Sequence, residues 1–449
     1  MGETRIPVVI HLARDGDAYT AALDSPDQLA FGIPGTVRVV SLAGGAGESV
    51  VVTVPLIGGR FDLLAPTDRS ALVGTWTQGP GQIPVRLTRR GEATVRRRPQ
   101  EPEPPFPYTS EEVTFESAAA GATLAGTVTR PPGSGPFPAA VLVSGSGQQD
   151  RDESIMGHRP FAVLADALAR AGIVVLRYDD RGVGGSSPGP DLMAATTADF
   201  TDDALGAVGF LGSRADVRVV GIVGHSEGGV IAPAAAGRSD AVAFVVLLAG
   251  PAVRGDAVIS HQGARMQRAA GMSAAGDVAS EASVARALAR VVAVPEGEPL
   301  PAGARAAALA DFRAGVAALS SEDRAAVGAT DSTETEAFLA QTVDNLGSPW
   351  MRHFLAYDPA PALRALGVSA LALFGGLDLQ VAPDQNEGPM RAALAESASP
   401  RWDVETFPGL NHLFQTATTG AVSEYAEIEE TMSPAVLDRV AAWILGATQ

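Results

Sequence analysis

Not one of the 449 residues is cysteine. That absence removes disulfides, thiolate-held zinc and a cysteine nucleophile, and leaves the redox compartment unspecified. Aromatic residues are sparse, and no apolar run approaches the ~20 residues that a membrane-spanning helix needs. Cations are outnumbered: 33 Lys and Arg face 51 Asp and Glu, for a formal charge of -18. Nucleic acid and anionic membrane surfaces are therefore poor partners, and the acidic excess reads as a solubilising surface. The opening residues, MGETRIPVVIHLARDG, lack the basic stretch, apolar core and small-residue cleavage site of an export signal. The expectation is a cytoplasmic protein, or a secreted or periplasmic one if a signal has been trimmed.

What is present is globular in composition and long enough for two or three domains. Residues 1–95 carry short alternating runs: IPVVIHL, AYTAALD, TVRVVSL, SVVVTVP, GRFDLLA, ALVGTWTQ and QIPVRLTRR. Turn clusters separate them, at Asp24–Asp27, Gly44–Gly47 and Gly79–Gly81. This spacing predicts an antiparallel β-domain of about seven strands, a small barrel or sandwich, with no catalytic cluster. His11 reads as a half-buried strand residue. Residues 96–108, RRRPQEPEPPFPY, read as a semi-rigid proline-rich linker, with Arg96–Arg98 as a solvated strand end.

From Thr109 the grammar changes. EEVTFES and ATLAGTVTR suggest an antiparallel pair. Strands at 138–144, 173–179, 217–223, 241–250, 368–375 and 402–408 then alternate with helices at 159–171, 197–213, 227–237, 384–396 and 434–446. That alternation predicts a mostly parallel sheet with helices on both faces, spanning 109–250 and 367–449. Between them, residues 251–366 offer no strand but several Ala-rich helical segments, the pattern of a cap inserted into the sheet. Trp350, Met351 and Phe354 read as cap packing, with an acyl-pocket role as the alternative; His261 and His353 also read as packing residues.

The chain is organised around VRVVGIVGHSEGGVIAPAAAGR, residues 217–238: a buried strand, a sharp bend and a helix. Gly224-His225-Ser226-Glu227-Gly228 fits the G-x-S-x-G elbow, which holds a serine at the tip of a strained turn. Pro233 is expected to kink the helix that follows. A second match, Gly185-Ser186-Ser187-Pro188-Gly189, has no strand running into it and reads as a turn. A serine hydroxyl needs a base, and the base needs an orienting group. Asp378, in FGGLD after a buried strand, is the acid, and His412, in FPGLNH, is the base. Asp384 is the competing acid and reads instead as a helix cap. The oxyanion donors are expected to be the N–H of Glu227 and that of Ser146, with Gly147 or Gln148 as alternatives to Ser146. Asp150, Arg151, Asp152, Asp179, Asp180 and Arg181 read as a salt-bridged scaffold beneath that loop, a substrate role for Arg151 or Arg181 being the alternative.

GHSEGG, SGSGQQDRD, RYDDRGVGGS, GGLD and PGLNH together resemble bacterial α/β-hydrolase carboxylesterases of the EstD type. LDSPDQ, GIP and GTWTQG in the first 90 residues resemble their N-terminal β-domain. The resemblance implies an α/β-hydrolase fold and hydrolysis of short to medium acyl esters through an acyl-serine, without metal or cofactor. It implies a small-molecule ester as the partner, and leaves a homodimer open. The alternatives are a serine peptidase, a thioesterase, or an acyltransferase or cyclase using the same triad, and finally a catalytically silent binding protein.

Overall fold

The computed structural model describes residues 8–15, 18–25, 30–41, 47–54, 59–66, 70–78, 81–88, 98–119 and 121–449. The chain divides into two compact units, one spanning 1–97 with 155–158, the other 98–154 and 159–449.

In the first unit, β1–β7 are Val9–Asp15, Ala18–Ser25, Ala30–Ser41, Glu48–Val54, Gly59–Ala65, Ala71–Gln78 and Gly81–Thr88. Each pairs antiparallel with its sequence neighbours. Among the described residues the pairing does not return from β7 to β1. Burial alternates strictly along β5, because successive side chains of a strand point to opposite faces. One face therefore gathers Leu23, Val50, Val52, Val54, Phe61 and Leu63 into a core, with Trp76 packed at 4.2 Å on Phe61. His11 is exposed rather than half-buried, since it falls on the opposite face of its strand from the inward row. The expected turns at 26–27, 44–46 and 79–80, and Arg96 and Arg97, lie outside the described residues.

The second unit is built on an eight-stranded sheet. Its strands are β8 (Thr109–Glu116), β9 (Thr123–Arg130), β10 (Phe137–Val143), β11 (Val174–Tyr178), β12 (Val217–His225), β13 (Val242–Leu248), β14 (Ser369–Gly375) and β15 (Trp402–Phe407). Their order is β15-β14-β13-β12-β10-β11-β9-β8. From β11 to β15 the pairings are parallel, and β8 and β9 close the far edge antiparallel. The parallel strands are almost wholly buried, as near-continuous β-branched runs require. Helices α1 (Pro160–Arg170), α2 (Thr197–Gly212) and α3 (Gly228–Ala236) follow β10, β11 and β12; α3 runs through Pro233. This is the α/β-hydrolase architecture. From β10 the chain goes first to β11 on one side and then to β12 on the other. The crevice at the carboxyl ends of β10 and β12 is thus the switch point where such sheets place their ligands.

Between β13 and β14 the chain makes an all-helical excursion. It comprises α4 (Gly255–Ala269), α5 (Ala274–Val292), α6 (Ala302–Ala318), α7 (Ser321–Ala326), α8 (Ser332–Leu346), α9 (Pro349–Ala356) and α10 (Ala360–Arg364). Leu288, Val291, Leu309, Phe312, Val343 and Leu355 give it a core of its own. Arg352 donates to the carbonyls of Val294 and Pro295 beyond the C-terminus of α5, where orphan acceptors need a cation. Leu363 and Leu366 pack instead into the core around the sheet, so apolar contact with the sheet layer begins before residue 367. After β14 come α11 (Pro383–Glu396), α12 (Val422–Tyr425) and α13 (Pro434–Ala447).

The proline-rich stretch from Arg98 onward is fastened to this second unit. Arg98 donates to the carbonyls of Ala426 and Ile428. Gln100 exchanges hydrogen bonds with Thr431 and Met432, and Tyr108 donates to Asp166 at 2.8 Å. Composition correctly denies the stretch helix and sheet, but it says nothing of side chains that hold an irregular backbone in place. No described helix is long and apolar enough to cross a membrane.

Candidate active site

β12 delivers the elbow. Ser226 sits at φ +52°, a left-handed conformation rare for a residue with a side chain, and its N–H is held by the Leu248 carbonyl at 2.9 Å. The flanking glycines are steric necessities. A Cβ on Gly224 would lie 1.9 Å from the Gly228 carbonyl oxygen, and one on Gly228 would lie 2.2 Å from that of Val143. The turn is therefore tight enough to lift the serine clear of the strand ends.

Asp378 lies three residues past the end of β14. Its Oδ1 accepts the backbone N–H groups of Gln380 and Val381 at 2.7 and 2.9 Å, while Oδ2 accepts from His412 Nδ1 at 2.8 Å. Both side chains are buried. Because a carboxylate only accepts, the proton of neutral His412 must sit on Nδ1, leaving Nε2 a lone pair. Asn411 braces the loop that carries the imidazole: its Oδ1 accepts from Leu413 N and Gln415 N, both at 3.0 Å.

Ser226 Oγ is not hydrogen-bonded to His412 in this structure. The two are brought to one place through His225, whose ring centroid is 4.7 Å from that of His412 and whose Nε2 donates to the His412 carbonyl at 3.0 Å. Catalytic hydrogen bonds of this kind are often long until substrate is present.

The loop after β10 lies against the elbow, since a Cβ on Gly145 would be 3.1 Å from Ser226 Cβ. Gly145 spends its N–H on Glu153 Oε1 at 2.7 Å. The N–H groups of Ser146, Gly147 and Gln148 find no acceptor among the described residues, nor does that of Glu227. The loop is propped from beneath by Asp180, which accepts from Ser144 Oγ at 3.1 Å and from Gln149 N at 2.9 Å.

The expected scaffold of charges separates into distinct pairs. Arg151 forks onto Asp179 at 3.0 and 2.7 Å, and Arg181 forks onto Asp203 at 2.5 and 2.9 Å. Asp152 takes Arg159 and Arg177, and Asp150 caps its own turn through Asp152 N and Ser154 N. Both forked arginines are thereby committed within the protein. Ser186 Oγ joins Ala125 N to the Asp179 carbonyl, so GSSPG is a hydrogen-bonded turn.

Three placements differ from expectation. Asp384 makes no helix cap; its carboxylate takes Arg265 and His261 of α4, tying the helical excursion to α11. A carboxylate in a first helical turn is as free to pair with a neighbouring helix as to cap its own. Trp350 is more than packing: stacked on Phe354, it also donates Nε1 to both oxygens of Glu227. His353 pairs with Glu296, so it too carries a polar contact.

The sequence singles out Glu227 for its backbone N–H and for an acidic side chain in a first helical turn, and the structure gives that side chain a larger part. Its buried carboxylate is a junction, receiving Thr197 Oγ1 at 2.6 Å from α2 and the Trp350 indole from α9, with the hydroxyl of Ser146 acting on it electrostatically from the loop after β10. Burial pushes its pKa above the ordinary glutamate value, and these three groups together with His353 pull the other way without cancelling it. Glu153 and His225 also escaped sequence reasoning. The available signal was a polar pair, the His before the nucleophile and the Glu after DRD, each where a buried residue was due.

Sheet order, the strand–elbow–helix turn and the Asp378–His412 pair have the arrangement of the α/β-hydrolase fold. The protein family described as serine aminopeptidase, S33, matches residues 158–293. Esterase EstD of Thermotoga maritima is 29% identical over 322 residues, covering 72% of this chain, which spans 65% of that relative's length. Among solved structures, the Pyrococcus furiosus esterase Pf2001 aligns over 76% of this chain and 92% of its own, at 12% identity and a TM-score of 0.45. Est1E from Butyrivibrio proteoclasticus aligns over 75% and 98%, at 15% identity and a TM-score of 0.40.

Proposed function

We propose that this protein is a serine hydrolase that cleaves carboxylic esters of short to medium acyl chains. The observation that carries this reading is the Asp378–His412 bond, which leaves Nε2 the basic nitrogen of a ring that lies 4.7 Å from that of His225, the residue before the strained Ser226. Ser226 Oγ attacks the ester carbonyl and gives its proton to His412 Nε2. The N–H groups of Glu227 and Ser146 receive the oxyanion, a contribution worth roughly 2.7–4 kcal/mol per donor. Collapse breaks the C–O bond to the alcohol, which leaves with the proton from His412. Water, deprotonated by the same nitrogen, then releases the acid and restores the serine.

The family description raises aminopeptidase activity as a second reading. A peptidase of that kind needs an acidic group free for the substrate ammonium. Glu227, the carboxylate that follows Ser226 in the chain, is already engaged by Thr197 and Trp350, which favours esters. Turnover of p-nitrophenyl acetate and butyrate, set beside aminoacyl p-nitroanilides and acyl thioesters, tests the proposal. Ester turnover that vanishes in a folded Ser226→Ala variant supports it; undiminished turnover in that variant removes it.

A further inference from the structure

Glu153 is a buried carboxylate outside the three side chains of the proposed chemistry, yet it lies among them. Its Oε1 accepts the Gly145 N–H at 2.7 Å and faces His225 Nδ1 at 2.9 Å, and His225 Nε2 faces the His412 carbonyl at 3.0 Å. Both nitrogens of one imidazole thus meet oxygens, one a carboxylate and the other a carbonyl. A carbonyl can only accept, so Nε2 carries a proton. The carboxylate oxygen that accepts the Gly145 N–H faces Nδ1 as an acceptor too, so Nδ1 carries a proton as well.

We propose that Glu153 and His225 form a buried carboxylate–imidazolium pair that positions the oxyanion loop and the catalytic base about Ser226. Glu153 acts through the backbone of Gly145, and His225 acts through the backbone of His412. Neither touches substrate, and the role rests on the esterase reading above.

Three features support the assignment. Exposure is 4% for Glu153, 6% for His225 and 4% for His412, and the gap beside the pair is otherwise lined by Pro160, Phe161, Leu248, Leu413 and Met432. In such dry surroundings either charge alone would be costly, so each requires the other. Glu153 holds φ +52°, a conformation that persists in a residue with a side chain only when its surroundings impose it. Finally, the loops being joined come from distant strands. β10 and β12 are neighbours, but β15 lies beyond β13 and β14 at the edge of the sheet. The loop after β15 must reach back across those strand ends, and the His225–His412 bond is where it meets the elbow.

Burial works against charge on His225, but Glu153 and the His412 carbonyl together hold its pKa above the ordinary histidine value. The titratable groups facing it are Glu153, Asp378 and the ring of His412; α1 and β13 contribute only apolar side chains.

The test uses full-length protein labelled with ¹⁵N in its histidine rings, with the His225 signals assigned by their loss in His225→Gln. At roughly pH 7.5, a unit above the free histidine value, both His225 nitrogens are expected to be protonated, and one should become unprotonated in Glu153→Gln. A neutral His225 ring in the wild type overturns the proposal whatever the activity. Kinetics supply the second arm, read as ester turnover and as the rate at which a fluorophosphonate labels Ser226. A misplacement of ~1 Å can cost 10²-fold, so Glu153→Gln is expected to lower kcat and labelling about 100-fold with KM within about threefold. Glu153→Gln combined with His225→Gln should cost no more than either alone, because the two act as one unit. Multiplying losses, or a change confined to KM, would overturn the positioning role. If Glu153→Gln fails to fold, the wild-type ring state alone decides. A wild type that turns over no ester and takes no label would sink the esterase reading, and the ring signals would still report on the pair.

Discussion

Trp350 of α9 donates its indole N–H to both carboxylate oxygens of Glu227, at 3.0 and 3.2 Å, so the helical excursion is bonded to the residue that follows Ser226, the proposed nucleophile. Glu227 has a folded-state pKa raised by burial. Its ionised form is the one that burial disfavours and that the indole relieves. Trp350→Phe should therefore destabilise the protein by about 1.5–3 kcal/mol where the carboxylate is charged, the usual range for a hydrogen bond to a charged group. The loss should shrink as pH falls through the raised folded pKa and the group is neutralised. Urea unfolding at pH 5 and pH 7.5 reads both the size and the sign.

Asp378 also invites a conservative replacement. In Asp378→Asn the amide oxygen can still accept from Gln380 and Val381, so the turn should survive. The amide nitrogen would then donate to His412 Nδ1, moving the imidazole proton to Nε2, where a base must be empty. By the precedent of such triads, kcat should fall about 10⁴-fold with the melting temperature little changed. Steady-state turnover of p-nitrophenyl butyrate together with calorimetry checks this.

The fork between Arg181 and Asp203 is buried on both sides. Arg181→Leu leaves Asp203 charged and unpaired, and should cost roughly 3–5 kcal/mol. Adding Asp203→Leu should recover much of that loss, since the stranded charge is then gone. Denaturant midpoints of the single and double variants separate this from a general intolerance of change at the site.

Two glycines of α2, three residues apart, should respond in opposite ways to the same substitution. A Cβ on Gly206 would lie 2.3 Å from the Glu116 carbonyl oxygen, whereas one on Gly209 would meet nothing within 4 Å. Gly209→Ala should stabilise by about 0.4–1 kcal/mol by restricting the unfolded chain. Gly206→Ala should destabilise, because β8 would have to move. Thermal unfolding of the pair decides.

The sequence made the sheet legible because a parallel strand buried on both faces must be written as an apolar, β-branched run. The elbow was legible because only glycine fits at 224 and 228. Asp378 could be nominated because it closely follows such a strand, and His412 because it closely follows the half-buried edge strand β15. Side-chain partners were much less visible. Nothing local in DRDE tells Asp152, which takes two arginines, from Glu153, which takes an imidazole and a backbone N–H. Nor could Asp384 reveal a choice between its own helix and α4, since both uses satisfy a carboxylate in a first turn. The longer helices of the excursion were readable from their alanine-rich composition, but the short α7 and α10 were not. The reach of Trp350 to Glu227 was not, because it depends on how the whole excursion folds back.

That excursion has one further property. The chain leaves the sheet at the end of β13 and returns on the adjacent β14, and the Gly255 N–H to Tyr357 carbonyl bond at 3.1 Å pins the two stems together. Its ends are thus fixed independently of what lies between them. A protein engineer could exchange the span from 256 to 356 as a cartridge, provided the graft again supplies a donor to Glu227 in place of Trp350; Ser226, Asp378 and His412, the proposed nucleophile, acid and base, all lie outside the exchanged span.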